Sequence, residues 1–266
     1  MKLHIVRADP AGNITLYVLD PVEKAERPAV AAKLMEIKEL AGEQVGFVCE
    51  AREGFDGRME MAGGEFCGNA SRAYGMLLAK NRGVTGKAHL TLEVSGSDRS
   101  VGVDVDVEAG AARAEMPLPR VAGKAAVDGV EGTLVDLGGI VHFVTHRAPD
   151  AAVMDKAEPI INAPREQGGF AGVEAYGVIF LHDGRMTPLV KVPAAGSLVW
   201  EGSCGSGSLA AAAAESAEQT DGVFERDYVQ PAGTVRATVE RRGGKVTAAY
   251  IGGSVTLSEP MEVEIA

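Results

Sequence analysis

The order of hydrophobic and polar positions predicts a chain built mainly from short strands. LHIVRAD and ITLYVLD have the composition of two strands, and the proline and glycine within residues 9–13 predict a bend between them. Between Pro28 and Gly42 the spacing changes to that of a helix, which the proline begins and the glycine ends. Its apolar face consists of Val30, Leu34, Ile37 and Ala41.

The rest of the first half contains strands on both sides of a second helix. Residues 45–51 and 58–62 are typical of strands, and the helix is predicted from Gly68 to about Arg82. Its basic last turn and Gly83 directly beyond it are common at helix ends. HLTLEV, SVGVDVDVEAG and ARAEM then alternate, which predicts three more strands.

The second half weakly repeats this order. TLVDLGGIVHFVT predicts a strand pair, residues 150–166 a weak helix interrupted by two prolines, and VEAYGVIFLHD a further strand. TPLVKVP leads into a second alanine-rich helix that begins at Gly205, and residues 235–265 predict hairpin-forming strands.

The two alanine-rich helices begin directly after Cys67 and Cys204, which lie 137 positions apart, close to half the chain length. This repetition predicts an α+β fold of two pseudo-symmetric lobes, each a β-sheet wrapped around a central helix and each with one cysteine. We expect the boundary at Pro119, with lobes 1–119 and 120–266. Whether the last strand returns to the first lobe is left open.

Composition restricts the classes of partner. The 266 residues have a formal net charge of −11, which argues against a nucleic-acid backbone or an anionic membrane and places no restriction on a small substrate. No segment has the apolar length of a signal peptide or of a transmembrane span. Three cysteines with no close pair do not make a disulfide framework, and they indicate the reducing cytoplasm.

The sequences around the two cysteines, EFCGNASRAYG and GSCGSGSLAAAAA, have the same order of residue types. The first turn of a helix leaves backbone N–H groups without internal partners and carries partial positive charge. Gly68 and Gly205 let a ligand approach the backbone, and Asn69 and Ser206 can cap or donate locally. Such a helix start binds a carboxylate and is expected to lower the pKa of an adjacent thiol.

Two helix starts facing one carboxylate would place a sulfur on either side of the neighbouring carbon. One thiolate would remove the proton from the α-carbon of an amino acid, and the other thiol would return a proton to the opposite face. Backbone N–H donors would stabilise the charge that develops on the carboxylate. This chemistry requires neither pyridoxal phosphate nor a metal.

Other interpretations apply to single residues. A lone cysteine is usually a small core residue, and we assign that role to Cys49. The sequence contains neither zinc-ligand spacing, nor a phosphate-binding Gly-Lys-Ser/Thr loop, nor the Cys-x-x-Cys of a redox dithiol. Glu65 and Glu201 are interpreted as solvated or helix-start acids. An alternative from another class is an amino-acid-binding protein without catalysis on the same scaffold.

The two cysteine motifs, Glu65–Asn69 and Ser203–Gly207, resemble the E-M-C-G-N and A-C-G-T/S-G motifs of the diaminopimelate epimerase family. Asn13 resembles an early asparagine of that family, Gln44 a glutamine that helps to place the substrate, and LGGIVHFV its G-N-P-H strand. The resemblance implies a two-lobed fold, a cofactor-free two-thiol mechanism and a homodimer. It implies substrate binding by Asn13, Gln44, Gly68, Asn69, Gly205 and Ser206, with Cys67 and Cys204 as catalytic residues.

The chain departs from that family where a diaminopimelate epimerase holds the distal amino and carboxylate groups of its substrate. Here those positions correspond to Met61, Ile140, the pair 175–176 and the pair 194–195. Without polar groups, diaminopimelate is a poor candidate, and Met, Ile, Tyr and Phe143 suit a less charged or aromatic side chain.

The string WEGSCGSGS at 200–208 is similar to a branch of histidine racemases within the same superfamily. That similarity implies histidine as the substrate, with diaminopimelate or another amino acid as alternatives. The related phenazine-pathway isomerases lack the thiols, and proline racemases fit the EFCGN context less well.

Overall fold

The computed structural model describes residues 1–127, 129–166, 174–193 and 196–265, with the side chains of residues 160–166 excepted. The strands are β1 (Lys2–Asp9), β2 (Thr15–Val18), β3 (Gln44–Cys49), β4 (Gly57–Met61), β5 (Lys87–Val94), β6 (Val101–Asp106), β7 (Ala111–Glu115), β8 (Arg120–Val127), β9 (Val130–Asp136), β10 (Ile140–Thr145), β11 (Ala175–His182), β12 (Arg185–Val192), β13 (Ser197–Trp200), β14 (Gly222–Val229), β15 (Thr234–Arg242), β16 (Lys245–Ser254), β17 (Thr256–Leu257) and β18 (Met261–Glu264). The α-helices are α1 (Arg27–Met35), α2 (Gly68–Asn81), α3 (Ala152–Glu166) and α4 (Gly205–Glu215), and Lys38–Leu40 forms one 3-10 turn.

The elements group into two compact units. The first unit is Met1–Glu115 together with Gly252–Ala266, and the second unit is Met116–Ile251. Cys67 therefore belongs to the first unit and Cys204 to the second. None of the described helices has the length and apolar character needed to cross a membrane.

The first unit is a sheet with a buried helix packed on it. Its strands follow the order β7-β6-β5-β4-β3-β2-β1-β17, and β18 also pairs with β1. The pairs β2–β3 and β4–β5 are parallel, and the other described pairs are antiparallel. Helix α2 packs on β4–β7, and small residues permit this close approach. A side chain at Gly75 would place its Cβ 2.6 Å from Cγ1 of Val103.

Helix α1 ends earlier than predicted. It stops at Met35, and Ile37 is extended with φ −78° and ψ 96°, so the predicted helix to Gly42 is wrong in its second half. The break changes which positions face the core. Leu40 is buried there, whereas Ala41, which the helical spacing had placed on the apolar face, is exposed. Burial of the larger side chain explains the departure from the helical spacing.

The second unit contains a six-stranded sheet and three further strands. The sheet follows the order β13-β12-β11-β10-β9-β8, in which β10–β11 is parallel and the other pairs are antiparallel. The further strands are β14, β15 and most of β16, which neighbour one another in that order. Helix α4 packs against β9, β10, β11 and β15, and residues 209–213 are fully buried. A helix that is apolar on all sides is expected at such a central position.

Most of the predicted elements are confirmed, including the helix over 150–166 despite its prolines. Strands β8, β13 and β14, whose residues are mostly exposed, were not predicted. The observed architecture is a mixed, sheet-rich α+β fold.

Candidate active site

Cys67 is the N-cap of α2. Its backbone is extended, with φ −131° and ψ 111°, and its sulfur accepts a hydrogen bond from the backbone N–H of Ala70 at 3.4 Å. The hydroxyl of Ser71 donates to the Cys67 carbonyl at 2.8 Å. The sulfur thus takes the place of the serine or aspartate oxygen that usually caps a helix.

Cys204 has the same local geometry at the start of α4. Its φ and ψ are −123° and 110°, its sulfur accepts from the N–H of Gly207 at 3.3 Å, and the hydroxyl of Ser208 donates to its carbonyl at 2.7 Å. In both units the cysteine sulfur therefore accepts a hydrogen bond from the backbone N–H three residues later. The serine four residues after the cysteine donates to the cysteine carbonyl. This serine is visible in both sequence motifs, although the sequence reading assigned it no role.

The predicted residues of the first unit lie together around Cys67. The Cys67 sulfur is 4.0 Å from Oδ1 of Asn13. The side-chain amide of Gln44 donates to that oxygen and to the hydroxyl of Thr15, both at 2.8 Å. Asn13 in turn donates to Glu43 at 3.1 Å. The turn between β1 and β2 and the start of β3 therefore hold Asn13 and Gln44 beside the thiol.

Gly68 and Asn69 form the first turn of α2 and are both buried. Burial raises the pKa of the Cys67 thiol, and a hydrogen bond from the backbone N–H of Asn69 to the sulfur opposes this rise. The side-chain oxygen of Asn69 accepts from Nε of Arg72 at 3.1 Å, so this side chain is fixed by the helix that carries it. Arg72 is a residue to which the sequence reading assigned no role.

Around Cys204, Gly205 is the first residue of α4, and Ser206 lies between the sulfur and a buried histidine. The Ser206 hydroxyl is 3.4 Å from the sulfur and 3.0 Å from Nε2 of His142. Burial lowers the pKa of His142 to about 3, so its imidazole is neutral. Within the described part of the chain, Nδ1 of His142 and the hydroxyl of Ser203 are buried without a hydrogen-bond partner.

Strand β11 leaves room for this imidazole. Gly177 is paired with His142 across β10 and β11, and a Cβ at that position would overlap the histidine ring. The role of Gly177 could not be predicted from the neighbouring sequence, because His142 lies 35 positions earlier in the chain.

Gln230 fixes the backbone of Cys204. Its side-chain oxygen accepts from the Cys204 N–H at 2.7 Å, and its amide donates to the Ser208 hydroxyl at 3.0 Å. Gln230 is buried and follows β14, a strand that was not predicted, so its contribution could not be found from local sequence pattern.

Burial raises the pKa of both thiols, which corrects the expectation that the helix starts lower them. For Cys67 desolvation is the largest cause, and the N–H of Ala70 and the amide of Gln44 partly oppose it. The pKa of Cys204 is raised well above its ordinary value, first by burial and then by the carboxylate of Glu201. The helix N–H groups act in the expected direction but are outweighed by the loss of water. Glu201 is half-buried shortly before α4, and its negative charge disfavours the Cys204 thiolate.

Cys49 lies half-buried at the far end of β3 and packs against the core of the first unit, as expected of a structural cysteine. A depression of about 490 Å³ surrounds it, lined in part by Arg27, Arg58 and Glu60. Glu60 is paired with both arginines, and Nη2 of Arg27 donates to the Cys49 sulfur at 3.4 Å. These charges are engaged with one another and are separate from the Cys67 contacts at the other end of the strand.

Three of the residues predicted to shape the substrate pocket are core residues. Met61 is buried in the core of the first unit, and Tyr176 and Phe143 are buried in that of the second. Ile140 and Ala175, at the starts of β10 and β11, are half-buried. Ala194 and Ala195 lie outside the described residues. Among the described side chains, no group of three or more His, Cys, Asp or Glu residues is placed to hold a metal ion.

Comparison with known proteins gives relatives along most of the chain. A family model described as the histidine racemase CntK N-terminal domain matches residues 2–260. A histidine racemase of Fusobacterium nucleatum is 31% identical over 78% of this chain and 78% of its own length. One of Staphylococcus aureus is 26% identical over 88% of this chain and 87% of its own.

Solved structures share the fold at low sequence identity. A predicted epimerase from Pseudomonas aeruginosa aligns over 100% of both chains with a TM-score of 0.67 and 14% identity. A hydroxyproline epimerase from Agrobacterium vitis, solved with bound trans-4-hydroxy-L-proline, aligns with a TM-score of 0.65 and 12% identity over 98% of this chain and 92% of its own.

Proposed function

The chain belongs to the histidine racemase CntK N-terminal domain family, and from this membership we propose that it is a cofactor-independent amino-acid racemase with histidine as its substrate. The enzyme class is isomerase. The observation that supports the proposal most directly is the matched geometry of Cys67 and Cys204, each the capping residue of a buried helix start.

In the proposed mechanism the two helix starts bind one substrate carboxylate. The backbone N–H groups of Gly68, Asn69, Gly205 and Ser206 are the donors to the carboxylate oxygens. Asn13 and Gln44 belong to the hydrogen-bond network beside Cys67 and orient the substrate there.

One cysteine acts as thiolate and takes the proton from the α-carbon, and the electron pair of the broken C–H bond moves into the carboxylate as an enediolate. The other cysteine acts as thiol and gives its proton to the opposite face of the carbon. The product is the mirror-image amino acid, and the two sulfurs have exchanged protonation states. Proton exchange with water restores the starting state.

We also propose that the two units are pseudo-symmetric lobes of the diaminopimelate epimerase type, each wrapped around its central helix. The packing of α2 on β4–β7 and of α4 on β9–β11 and β15 supports this arrangement. The reactive thiols require a reducing compartment, for which we propose the cytoplasm.

Exchange of the α-hydrogen with solvent tests the reaction class. L-histidine incubated with the protein in deuterated buffer should acquire deuterium at the α-carbon and yield D-histidine, measured by NMR and chiral chromatography. A panel of the common amino acids and diaminopimelate tests specificity. If no member of the panel exchanges, the racemase proposal fails and the non-catalytic alternative gains support.

Serine variants test the roles of the two cysteines. Serine is itself a preferred N-cap, so Cys67→Ser and Cys204→Ser should remain folded. Each should lower the racemisation rate by at least about 10³-fold, because a hydroxyl is far less acidic than a thiol. Cys49→Ser is the matched control and should racemise normally. Full racemisation by either active-site variant would contradict the two-thiol mechanism.

A further inference from the structure

The side chain of Arg72 is completely buried in the first unit, five residues beyond Cys67 on α2. Its guanidinium donates to four neutral oxygens: Asn69 Oδ1 at 3.1 Å, Pro10 O at 2.8 Å, Gly253 O at 3.0 Å and Ser254 O at 2.9 Å. Within the described residues no carboxylate lies at ion-pairing distance from it. A buried charge without a counter-charge is unfavourable, so its persistence requires an explanation.

Three groups near Arg72 can carry negative charge, namely Cys67, Tyr17 and Asp9. Burial lowers the pKa of Arg72 to about 10, and Cys67 opposes this more than Tyr17 and Asp9 do. Tyr17 donates its hydroxyl to the Ala70 carbonyl at 2.5 Å, and burial raises its pKa well above the ordinary value, so it stays neutral. The carboxylate of Asp9 accepts from the N–H of Gly12 at 2.6 Å and is half-exposed.

We propose that Arg72 is a positioning residue whose buried positive charge is the fixed counter-charge of the Cys67 thiolate. The inference rests on the proposed function, in which Cys67 must alternate between thiol and thiolate. A cation held by carbonyl groups in a dry interior does not move when the charge on sulfur changes, so it stabilises the thiolate without reorganisation. Among the described residues, the other charged or titratable groups around this sulfur are Glu65, which disfavours the thiolate, Tyr17, which is neutral, and the acids Glu43 and Asp9, which lie near Asn13 and Arg72 respectively.

The same guanidinium also fixes the geometry of the thiol's surroundings. It joins Asn69 in the first turn of α2 to Pro10 in the turn that leads to Asn13, and to the returning segment at 253–254. The backbone N–H of Asn69 is hydrogen-bonded to the Cys67 sulfur, and Oδ1 of Asn13 lies 4.0 Å from that sulfur. A neutral replacement therefore has a charge effect and a geometric effect, and the test must separate them.

The test is the pH dependence of Cys67 alkylation by iodoacetamide, measured in a background with Cys49→Ser and Cys204→Ser so that one thiol reacts. Arg72→Gln removes the charge and should slow alkylation about tenfold or more at a fixed pH below the pKa. Arg72→Lys keeps the charge with fewer hydrogen bonds and should restore most of the rate. Equal titration of Cys67 in all three backgrounds would overturn the inference, as would equal slowing in both variants.

Arg241 supplies a matched control in the second unit. It is also buried, and among the residues that the structure describes it donates only to neutral oxygens, those of Ser216, Gly244 and Ala213. Arg241→Gln should cost stability while the titration of Cys67 stays unchanged. If it slows Cys67 alkylation as much as Arg72→Gln does, the effect is a general loss of packing and the inference is wrong.

Folding of the variants is followed by circular dichroism, and measurements are made in a stabilising osmolyte if Arg72→Gln is marginal. If it does not fold even then, Arg72→Met replaces it as the neutral variant, with the same slowing expected and an unchanged Cys67 titration contradicting the inference. The titration is independent of turnover. Absence of deuterium exchange in the wild type would defeat the proposed function alone, and an unchanged titration in Arg72→Gln would defeat this inference alone.

Discussion

At the scale of single residues, the two sulfurs have equivalent hydrogen bonds and unequal electrostatics. Burial raises the pKa of both, and a nearby acid adds to the effect at each, Glu65 at Cys67 and Glu201 at Cys204. The helix N–H groups and Gln44 oppose it at Cys67, and the pKa of Cys204 is raised further. As pH rises, Cys67 is therefore the first to become a thiolate, while Cys204 remains protonated. This is the combination of one thiolate and one thiol that the proposed mechanism requires.

The expected consequence is an alkaline pH–rate profile. The value of kcat/KM should rise with pH above neutrality as Cys67 ionises, because both thiol pKa values are raised rather than lowered. It should fall again only when Cys204 also ionises. Initial rates of histidine racemisation across neutral to alkaline pH give the profile, and maximal activity below neutral pH would contradict the order of ionisation.

Glu201→Gln tests the cause of the inequality. Removal of the carboxylate charge should lower the pKa of Cys204 and accelerate its alkylation by iodoacetamide about tenfold at a fixed pH. Cys67, alkylated in the same sample and followed as a separate peptide by mass spectrometry, serves as internal control and should be unchanged. An unaltered Cys204 rate would show that burial alone sets its pKa.

The two helix starts at Cys67 and Cys204 could be predicted from the sequence, because helix starts and repeated motifs are local patterns. The role of Arg72 could not be predicted, because its carbonyl partner Gly253 is 181 positions away. The role of Gln230 could not be predicted either, because its side chain accepts a hydrogen bond from the Cys204 N–H 26 positions earlier. The direction of the thiol pKa shifts was also wrong, because burial is a property of the whole unit and not of the motif.

At the scale of elements, the two central helices depend on small residues for close packing. In α2, Gly75 faces Val103 on β6, and an added Cβ would come within 2.6 Å of the valine. Gly75→Ala gains about 1 kcal/mol of helix propensity but overpacks the interface by about 1–3 kcal/mol. We expect a net loss of about 1 kcal/mol in the free energy of unfolding, measured by urea denaturation.

A double-mutant cycle with Val103→Ala provides the control. That substitution removes the Cγ1 atom 2.6 Å away and leaves the Cβ of residue 103 at 3.2 Å, so Gly75→Ala should destabilise the protein much less in that background than in wild type. Additive effects of the two substitutions would show that the glycine does not serve the helix–sheet contact.

The elements that were predicted and those that were not differ in burial. Helices α2 and α4 have long buried runs and clear start signals, and both were predicted. Strands β8 and β14 are mostly exposed and lack hydrophobic alternation, so no pattern distinguished them from loops. The end of α1 depends on which side chain the core accepts, Leu40 or Ala41, and local spacing does not contain that information.

At the scale of the molecule, the proposed mechanism requires one cysteine from each unit beside the same carbon atom. Two thiols so placed in the substrate-free protein should form a Cys67–Cys204 disulfide under mild oxidation, with loss of activity that a reducing thiol reverses. Mass spectrometry of the non-reduced digest identifies the linked peptides. Substrate should slow the reaction, and Cys49→Ser should leave it unchanged. Formation of Cys49-containing disulfides instead would contradict the proposed pairing.

The return of the chain to the first unit has a consequence for synthesis. Strand β1 pairs with β17 and β18, and Arg72 donates to the carbonyls of residues 253 and 254. On the ribosome these contacts cannot form until the end of the described chain has emerged, whereas all residues of the second unit emerge before it. The second unit, which contains Cys204, can therefore fold during translation, and the first unit, which contains Cys67, is completed last.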